Sequence, residues 1–322
     1  MRTKVTVVIP AYNAERYLGE TLASVFAQTV QPYEIIVVDD GSQDGTEAVV
    51  RSFGDRVRYI KQQNQGISGA RNTAIHEARG DWIAFLDADD LILARKLELQ
   101  ISVIEANPRL ICVYSGFAYL YVDGTTKEMP AFPARDLWPA LRYRQPVLPS
   151  TCIVRRSALE ELGGFKRVPR RYFPEDWDLW FRLIRRHSAA AFQEIPENLT
   201  MYRWWENNAS KNFMPMADAK FELLDHLLLE DMSGLRKVLW ERRIEARFYF
   251  DLALALREAN NERYWEYAIE SLVQWPFWGT VVPWRRYRVF AHMLYIRLQS
   301  FRMDFRYWWP ERRCREGLVK QP

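Results

Sequence analysis

The sequence predicts an α/β fold: a mainly parallel sheet with helices on both faces, followed by a smaller helical C-terminal region. Three observations lead there. Short β-branched, apolar runs recur at residues 5–9, 34–39, 57–60 and 82–87, and stretches with apolar residues at helical spacing lie between them. At 322 residues the chain also exceeds what one core usually holds, roughly 250–300 residues, so a second part is expected.

The first run ends at Pro10 and reads as a buried strand stopping at a loop. Tyr17, Leu18, Leu22, Val25 and Phe26 then mark a helix within residues 14–28. The second strand, 34–39, is followed by a Gly/Ser/Asp turn and a helix over 46–53. A third strand at 57–60 leads through a loop into a helix within 66–79, a fourth strand at 82–87 follows, and a helix over 94–105 ends before Pro108. Beyond residue 110 the alternation weakens. Residues 112–122 read as a long strand turning at Asp123-Gly124, with further strands at 151–154 and 199–203. From residue 218 the pattern is helical, at 218–230, 235–259, 262–273 and 284–309, with a helical hairpin suggested over 246–275. The domain boundary is placed near Met214–Met216, giving parts 1–214 and 215–322.

Composition narrows the function. Hydrophobic residues at 48% and charged residues at 27% describe a folded protein. Net charge is +4, yet residues 276–322 carry +7 and eleven aromatics, so the rest of the chain is −3. That tail reads either as a helix lying on an anionic membrane surface or as a stripe packed on the protein or a second subunit in a homo-oligomer. Positive charge confined to the tail, without a recognition motif, argues against nucleic acid. Three widely spaced cysteines, Cys112, Cys152 and Cys314, suit reduced thiols. The opening apolar run is too short for a signal-peptide core and no stretch approaches a membrane span, so a cytoplasmic location is expected, peripheral on the inner membrane face if the tail binds lipid.

In an open α/β sheet, ligands sit beyond the carboxyl ends of the strands. Asp39-Asp40 and Asp87-Ala88-Asp89-Asp90 stand at two such ends. A lone Asp there is readily a cap or turn residue, as Asp44 is at Asp44-Gly45, and Asp39 reads as an orienting residue; two clusters ending two buried strands point to a site. The stretch from Asp40 to Gly45 superficially matches a calcium loop, but Arg51 stands where a bidentate Glu is required. An aspartyl phosphatase would need its motif after the first strand, and a sugar nucleotidyltransferase would need a Gly-rich basic loop where Pro10-Ala-Tyr12-Asn13 stands.

Several motifs together resemble the family-two inverting glycosyltransferases over roughly residues 3–213. They are Val-Ile-Pro10-Ala-Tyr12-Asn13, Val-Val-Asp39-Asp40-Gly41-Ser42, Gln65-Gly66-Ile-Ser-Gly-Ala70-Arg71-Asn72, Phe-Leu-Asp87-Ala88-Asp89-Asp90 and Pro174-Glu175-Asp176-Trp-Asp-Leu-Trp. The resemblance implies the Rossmann-like GT-A fold, a nucleotide-sugar donor of UDP type, a glycan or lipid-linked acceptor, and a divalent cation, Mg²⁺ or Mn²⁺. It places Pro10, Tyr12, Asn13, Asp40, Gly66, Arg71, Asp87 and Ala88 on the donor, with Asp40 on the base and Asp87 on the ribose. Asp89 is assigned to the metal, a role its hard oxygens suit. Arg95 or Lys96 could add positive charge nearby. Inversion needs one carboxylate to take the acceptor proton, and the resemblance favours Asp176; read alone, Glu175-Asp176 serves equally as a helix cap. The aromatics after it, Trp177 and Trp180, are expected to floor a sugar pocket. Where many relatives have a metal- or diphosphate-holding His, this chain has Trp205, with Asn207 or Asn208 as substitutes. Trp205 is also the best argument for the rival reading, a non-catalytic GT-A subunit of a polysaccharide assembly complex.

Overall fold

The computed structural model describes residues 3–141, 145–167, 174–205, 223, 234–258 and 263–274. Strand β1 (Val5–Ala11) is buried along its whole length. Both faces of a central parallel strand are covered, so its sequence is apolar at every position but Thr6, whose buried hydroxyl donates to Glu34 Oε1 at 2.8 Å, and does not alternate. The chain continues through α1 (Leu18–Phe26), β2 (Glu34–Asp39), α2 (Thr46–Arg51), β3 (Arg58–Lys61), α3 (Gly66–Glu77) and β4 (Trp82–Phe85). β1 pairs in parallel with β2 and β4, and β2 with β3. Val5, Val7 and Ile9 face one core with Leu22 of α1 and Val50 of α2. α3 packs against β1 and β2 through buried Ala70, Ala74 and Ile75, which lie outside that cluster.

After β4 come β5 (Leu91–Ile92), α4 (Lys96–Ala106), β6 (Cys112–Tyr121), β7 (Thr126–Met129), α5 (Leu137–Leu141), β8 (Cys152–Arg155), α6 (Arg156–Glu161), α7 (Glu175–His187) and β9 (Phe192–Trp204). The strand order is β3-β2-β1-β4-β8-β6-β9-β5, with β7 on β6. Parallel pairing therefore holds through the first four strands, while β8 runs antiparallel to both β4 and β6 and makes the whole sheet mixed. The expected turn at Asp123-Gly124 is present, with Gly124 at φ +82°, a conformation glycine adopts without strain. β9 begins seven residues earlier than the pattern indicates, because Gln193, Glu194, Pro196 and Glu197 hide its first half. It runs parallel to β6 with a register shift at Gly116.

The chain divides into two compact units, Met1–Lys237 and Val238–Pro322. The expected hairpin is present as α8 (Gly234–Glu258) and α9 (Tyr264–Gln274), joined by a bond of 2.5 Å from the Ser271 hydroxyl to the Ala246 carbonyl and by Ala253 against Ala268. The 214/215 boundary, Asn207 and Asn208, the helices at 218–230 (Leu223 apart) and 284–309, Cys314 and the basic tail lie outside the described residues. Among the described residues no helix is long and apolar enough to cross a membrane, and Cys112 and Cys152 are buried free thiols.

Candidate active site

The carboxyl ends of β1, β2 and β4 open onto a cavity of about 480 Å³. Pro10, Tyr12, Asn13, Asp40, Gly66, Asp87, Ala88 and Asp89 all line it, so eight residues singled out by sequence, from four loops, meet in one place. The loops after β1 and β2 are stitched by side chains. The Asn13 N–H donates to Ser42 Oγ at 2.9 Å, the Gln43 N–H donates to Asn13 Oδ1 at 2.9 Å, and the Ala14 N–H donates to Thr46 Oγ1 at 2.8 Å. Asn13 sits at φ 48°, a left-handed conformation that Asn tolerates better than most residues. Asp44 caps the same turn, accepting from Thr46 and from the Glu15 N–H.

Asp39 is fully buried and accepts from the Ser42 N–H at 2.7 Å and the Tyr59 hydroxyl at 2.5 Å. Burial works against its charge, but these bonds outweigh it and hold its pKa below the ordinary carboxylate value. It orients the turn. Asp40 lines the cleft, and one of its oxygens accepts from the Gln62 amide at 2.6 Å and the Gln65 N–H at 2.8 Å. Tyr12, 53% exposed, presents its ring at the opening.

Arg71 does not line the cleft. It is 2% exposed behind Asp87, and its guanidinium donates to Asp87 Oδ1 and Glu175 Oε1, both at 2.7 Å. Two flanking carboxylates leave this cation inside the protein as a bridge and not as a free phosphate ligand. Through it the end of β4 is joined to the start of α7, which also brings Asp176 near. One Asp176 oxygen accepts from its own neighbour's N–H, Trp177, at 2.7 Å; the other accepts from the Gln145 amide. Burial raises the Asp176 pKa against the pull of Arg71. Burial and the adjacent Asp176 charge push Glu175 up to about 7.

Trp177 and Trp180 do not line this cavity. They are 2% and 1% exposed, and their indole N–H groups donate to the Leu141 and Val147 carbonyls at 2.7 and 2.9 Å. They fasten the segment that carries Gln145, a residue with no periodicity or motif to reveal it. Lys96 is buried, and burial lowers its pKa to about 8; Arg95 pairs with Glu98 on the surface of α4, so neither lines the cleft.

Asp89 accepts from the Trp205 indole N–H at 2.8 Å through Oδ2, and burial raises its pKa. Trp205 meets the Tyr17 ring edge-on at 5.4 Å. Arg203, one strand position from Trp204, donates to the Asp89 carbonyl at 2.9 Å and pairs with Glu20 at 2.7 Å. Among the described residues no three His, Cys, Asp or Glu side chains gather as a closed metal site would. Two carboxylates on the cleft wall, Asp87 and Asp89, each with one oxygen engaged by a protein donor, nonetheless fit Mg²⁺ or Mn²⁺, which take one or two carboxylates and complete their shell with phosphate and water.

A family model described as glycosyl transferase family 2 matches residues 6–163. A relative from Escherichia coli named UDP-Glc:alpha-D-GlcNAc-diphosphoundecaprenol beta-1,3-glucosyltransferase WfgD is 43% identical over 189 residues, covering 58% of this chain and 72% of that protein. The chain belongs to glycosyl transferase family 2. An uncharacterised glycosyltransferase of Rickettsia typhi is 29% identical over 205 residues, covering 59% of this chain and 62% of that protein. The chain spans between 27% and 62% of the length of the Rickettsia relatives it matches. Among solved structures, a mannosyltransferase from Pyrobaculum calidifontis in complex with GDP-Man and Mn²⁺ superposes with a TM-score of 0.60 at 20% identity, covering 94% of this chain and 83% of that one. At that identity the likeness concerns the fold, which is the mixed α/β GT-A fold of family 2.

Proposed function

We propose that the protein is an inverting glycosyltransferase moving a sugar from a nucleoside diphosphate donor, of uridine type, to a hydroxyl of a glycan or lipid-linked acceptor. The observation that carries this reading is the Arg71 bridge, which couples a cleft lined by Asp40, Asp87 and Asp89 to the acid pair Glu175-Asp176. Tyr12 offers a ring for the base to stack on, Asp40 an acceptor for a uracil N–H, and Asp87 an acceptor for a ribose hydroxyl. A divalent cation held by Asp89, with Asp87 beside it, would neutralise the charge that develops on the departing diphosphate. Asp176 takes the acceptor's hydroxyl proton while that oxygen bonds to the anomeric carbon and the bond to the diphosphate breaks on the opposite face. Its raised pKa brings it toward the working pH of a general base, and its place in the first turn of α7 favours the charged form before reaction. The Escherichia coli relative is named for a UDP-glucose donor and a diphosphoundecaprenol-linked acceptor, which supports a uridine donor and a lipid-linked acceptor, while the Pyrobaculum protein, solved with GDP-Man and Mn²⁺, supports a nucleotide sugar and a divalent cation but not the choice of base.

Calorimetric titration of UDP with and without Mn²⁺ tests the reading. Affinity should depend on the cation in the native chain and lose that dependence in Asp89→Ala. An unchanged metal response in that variant refutes the assignment of Asp89. Cation-dependent UDP binding without any donor hydrolysis or transfer would favour the non-catalytic subunit that Trp205 motivates. The basic tail is proposed to hold the protein to the inner membrane face, and removal of residues 277–322 should reduce sedimentation with anionic vesicles at low salt. Equal sedimentation would reject that role.

A further inference from the structure

The cleft is poor in positive charge for the ligand proposed to fill it. Asp40, Asp87 and Asp89 line it, and a nucleoside diphosphate would bring phosphate oxygens among them. Arg71 is buried and bridges Asp87 to Glu175, and Arg203 is directed to Glu20 and the Asp89 carbonyl. Among the described residues lining the cleft, one cation remains, Arg16. It is exposed in the turn between β1 and α1, and among the described residues it forms no ion pair. Its guanidinium instead lies over the Tyr17 ring, 4.9 Å from the centroid. That ring is the one Trp205 meets edge-on, and the Trp205 indole reaches Asp89, so the support of Arg16 is continuous with the Asp89 end of the cavity.

We propose that Arg16 is an anion-binding residue of the cleft and takes the diphosphate of the donor, a role that rests on the reading of the cleft as a nucleotide site. The Tyr17 ring restrains a long side chain that would otherwise lose more freedom on binding, and the planar guanidinium can offer two parallel N–H donors to one phosphate. Charge from Arg16 complements a cation site in which an Asp89 oxygen is already taken by an indole N–H.

Calorimetry with UDP and, by displacement, with uridine separates the outcomes. Arg16→Gln should weaken UDP about tenfold, the low end for a charge-assisted hydrogen bond at an exposed position, and leave uridine unchanged. Arg16→Lys, which keeps the charge but not the fork, should fall between, and UDP affinity should lose part of its salt dependence in Arg16→Gln. Unchanged UDP affinity in Arg16→Gln overturns the proposal while leaving the donor cleft standing. So does an equal loss for uridine and UDP, which would mean a disturbed cleft. A native chain that binds neither UDP nor GDP overturns the reading of the cleft and the role of Arg16 with it.

Discussion

Replacing Arg71 by Met removes a cation and keeps most of the side chain's length and volume. The native guanidinium is 2% exposed, makes two charge-assisted bonds of 2.7 Å and lies over the Phe165 ring at 5.1 Å. Breaking a buried ion pair from one side costs about 3–5 kcal/mol, since the remaining charges lose their partner. Asp87 is a quarter exposed and can turn to water, so the loss should lie near ~3 kcal/mol at neutral pH. For a unit of this size each kcal/mol corresponds to about 2–4 °C, so calorimetric melting of the sheet-bearing unit should fall by roughly 6–12 °C. The deficit should also depend on pH. Glu175 titrates near about 7 in the folded chain and near ~4.3 unfolded, so its contribution is fully present below the unfolded value and is lost as pH rises through the folded one. Without Arg71 its pKa rises further, and the loss extends to higher pH. Urea titrations should therefore give a smaller gap between variant and native chain at pH 5 than at pH 8. A gap that is equal at both, or a melting shift below about 2 °C, would show that Arg71 is not the keystone of this acid cluster.

Two further substitutions address the chemistry. Asp176→Asn should leave UDP affinity within about twofold and lower transfer by about 10²–10⁴, because an amide accepts a hydrogen bond but takes no proton; near-normal transfer would leave Asp176 as the cap of α7. Trp205→His replaces a group that can only donate with one that can offer a lone pair, so Mn²⁺ affinity, read from the paramagnetic resonance of free Mn²⁺ beside bound UDP, should rise about tenfold. Unchanged Mn²⁺ affinity would mean that the indole does not compete for Asp89.

What the sequence displays and what it hides follow from how each feature is made. β1, β2 and β4 are legible because burial on both faces leaves them almost wholly apolar, with Thr6 the one polar residue inside β1 and Glu34 and Asp39 at the two ends of β2, and the strand-end rule then points directly to Asp40 and Asp89. β5 is two residues long and carries no period, and β9 starts among glutamates and a proline that its place beside β6 tolerates. Arg71 looks like a ligand for phosphate because its two acids come from residues 16 and 104 positions away. Trp177 and Trp180 look like a sugar platform because nothing local reveals that the Leu141 and Val147 carbonyls will receive their N–H groups. Gln145 is invisible for the same reason: its importance comes wholly from the chain path that sets it against Asp176.

The stitched loops after β1 and β2 carry a consequence for how a ligand is received. Asn13 both gives to Ser42 and receives from Gln43, and Glu15 and Asp44 exchange backbone bonds across the same gap, accepting respectively from the Gly45 and Glu15 N–H groups. A rim already held in this way has little ordering left to undergo when a molecule arrives, so its affinity is not diminished by the entropy of assembling a loop. It also ties two distant stretches of sequence to one another. A change of side chain at position 13 leaves its backbone N–H for Ser42 but removes the acceptor of the Gln43 N–H, so variation in either loop should be tolerated only when the other changes to match.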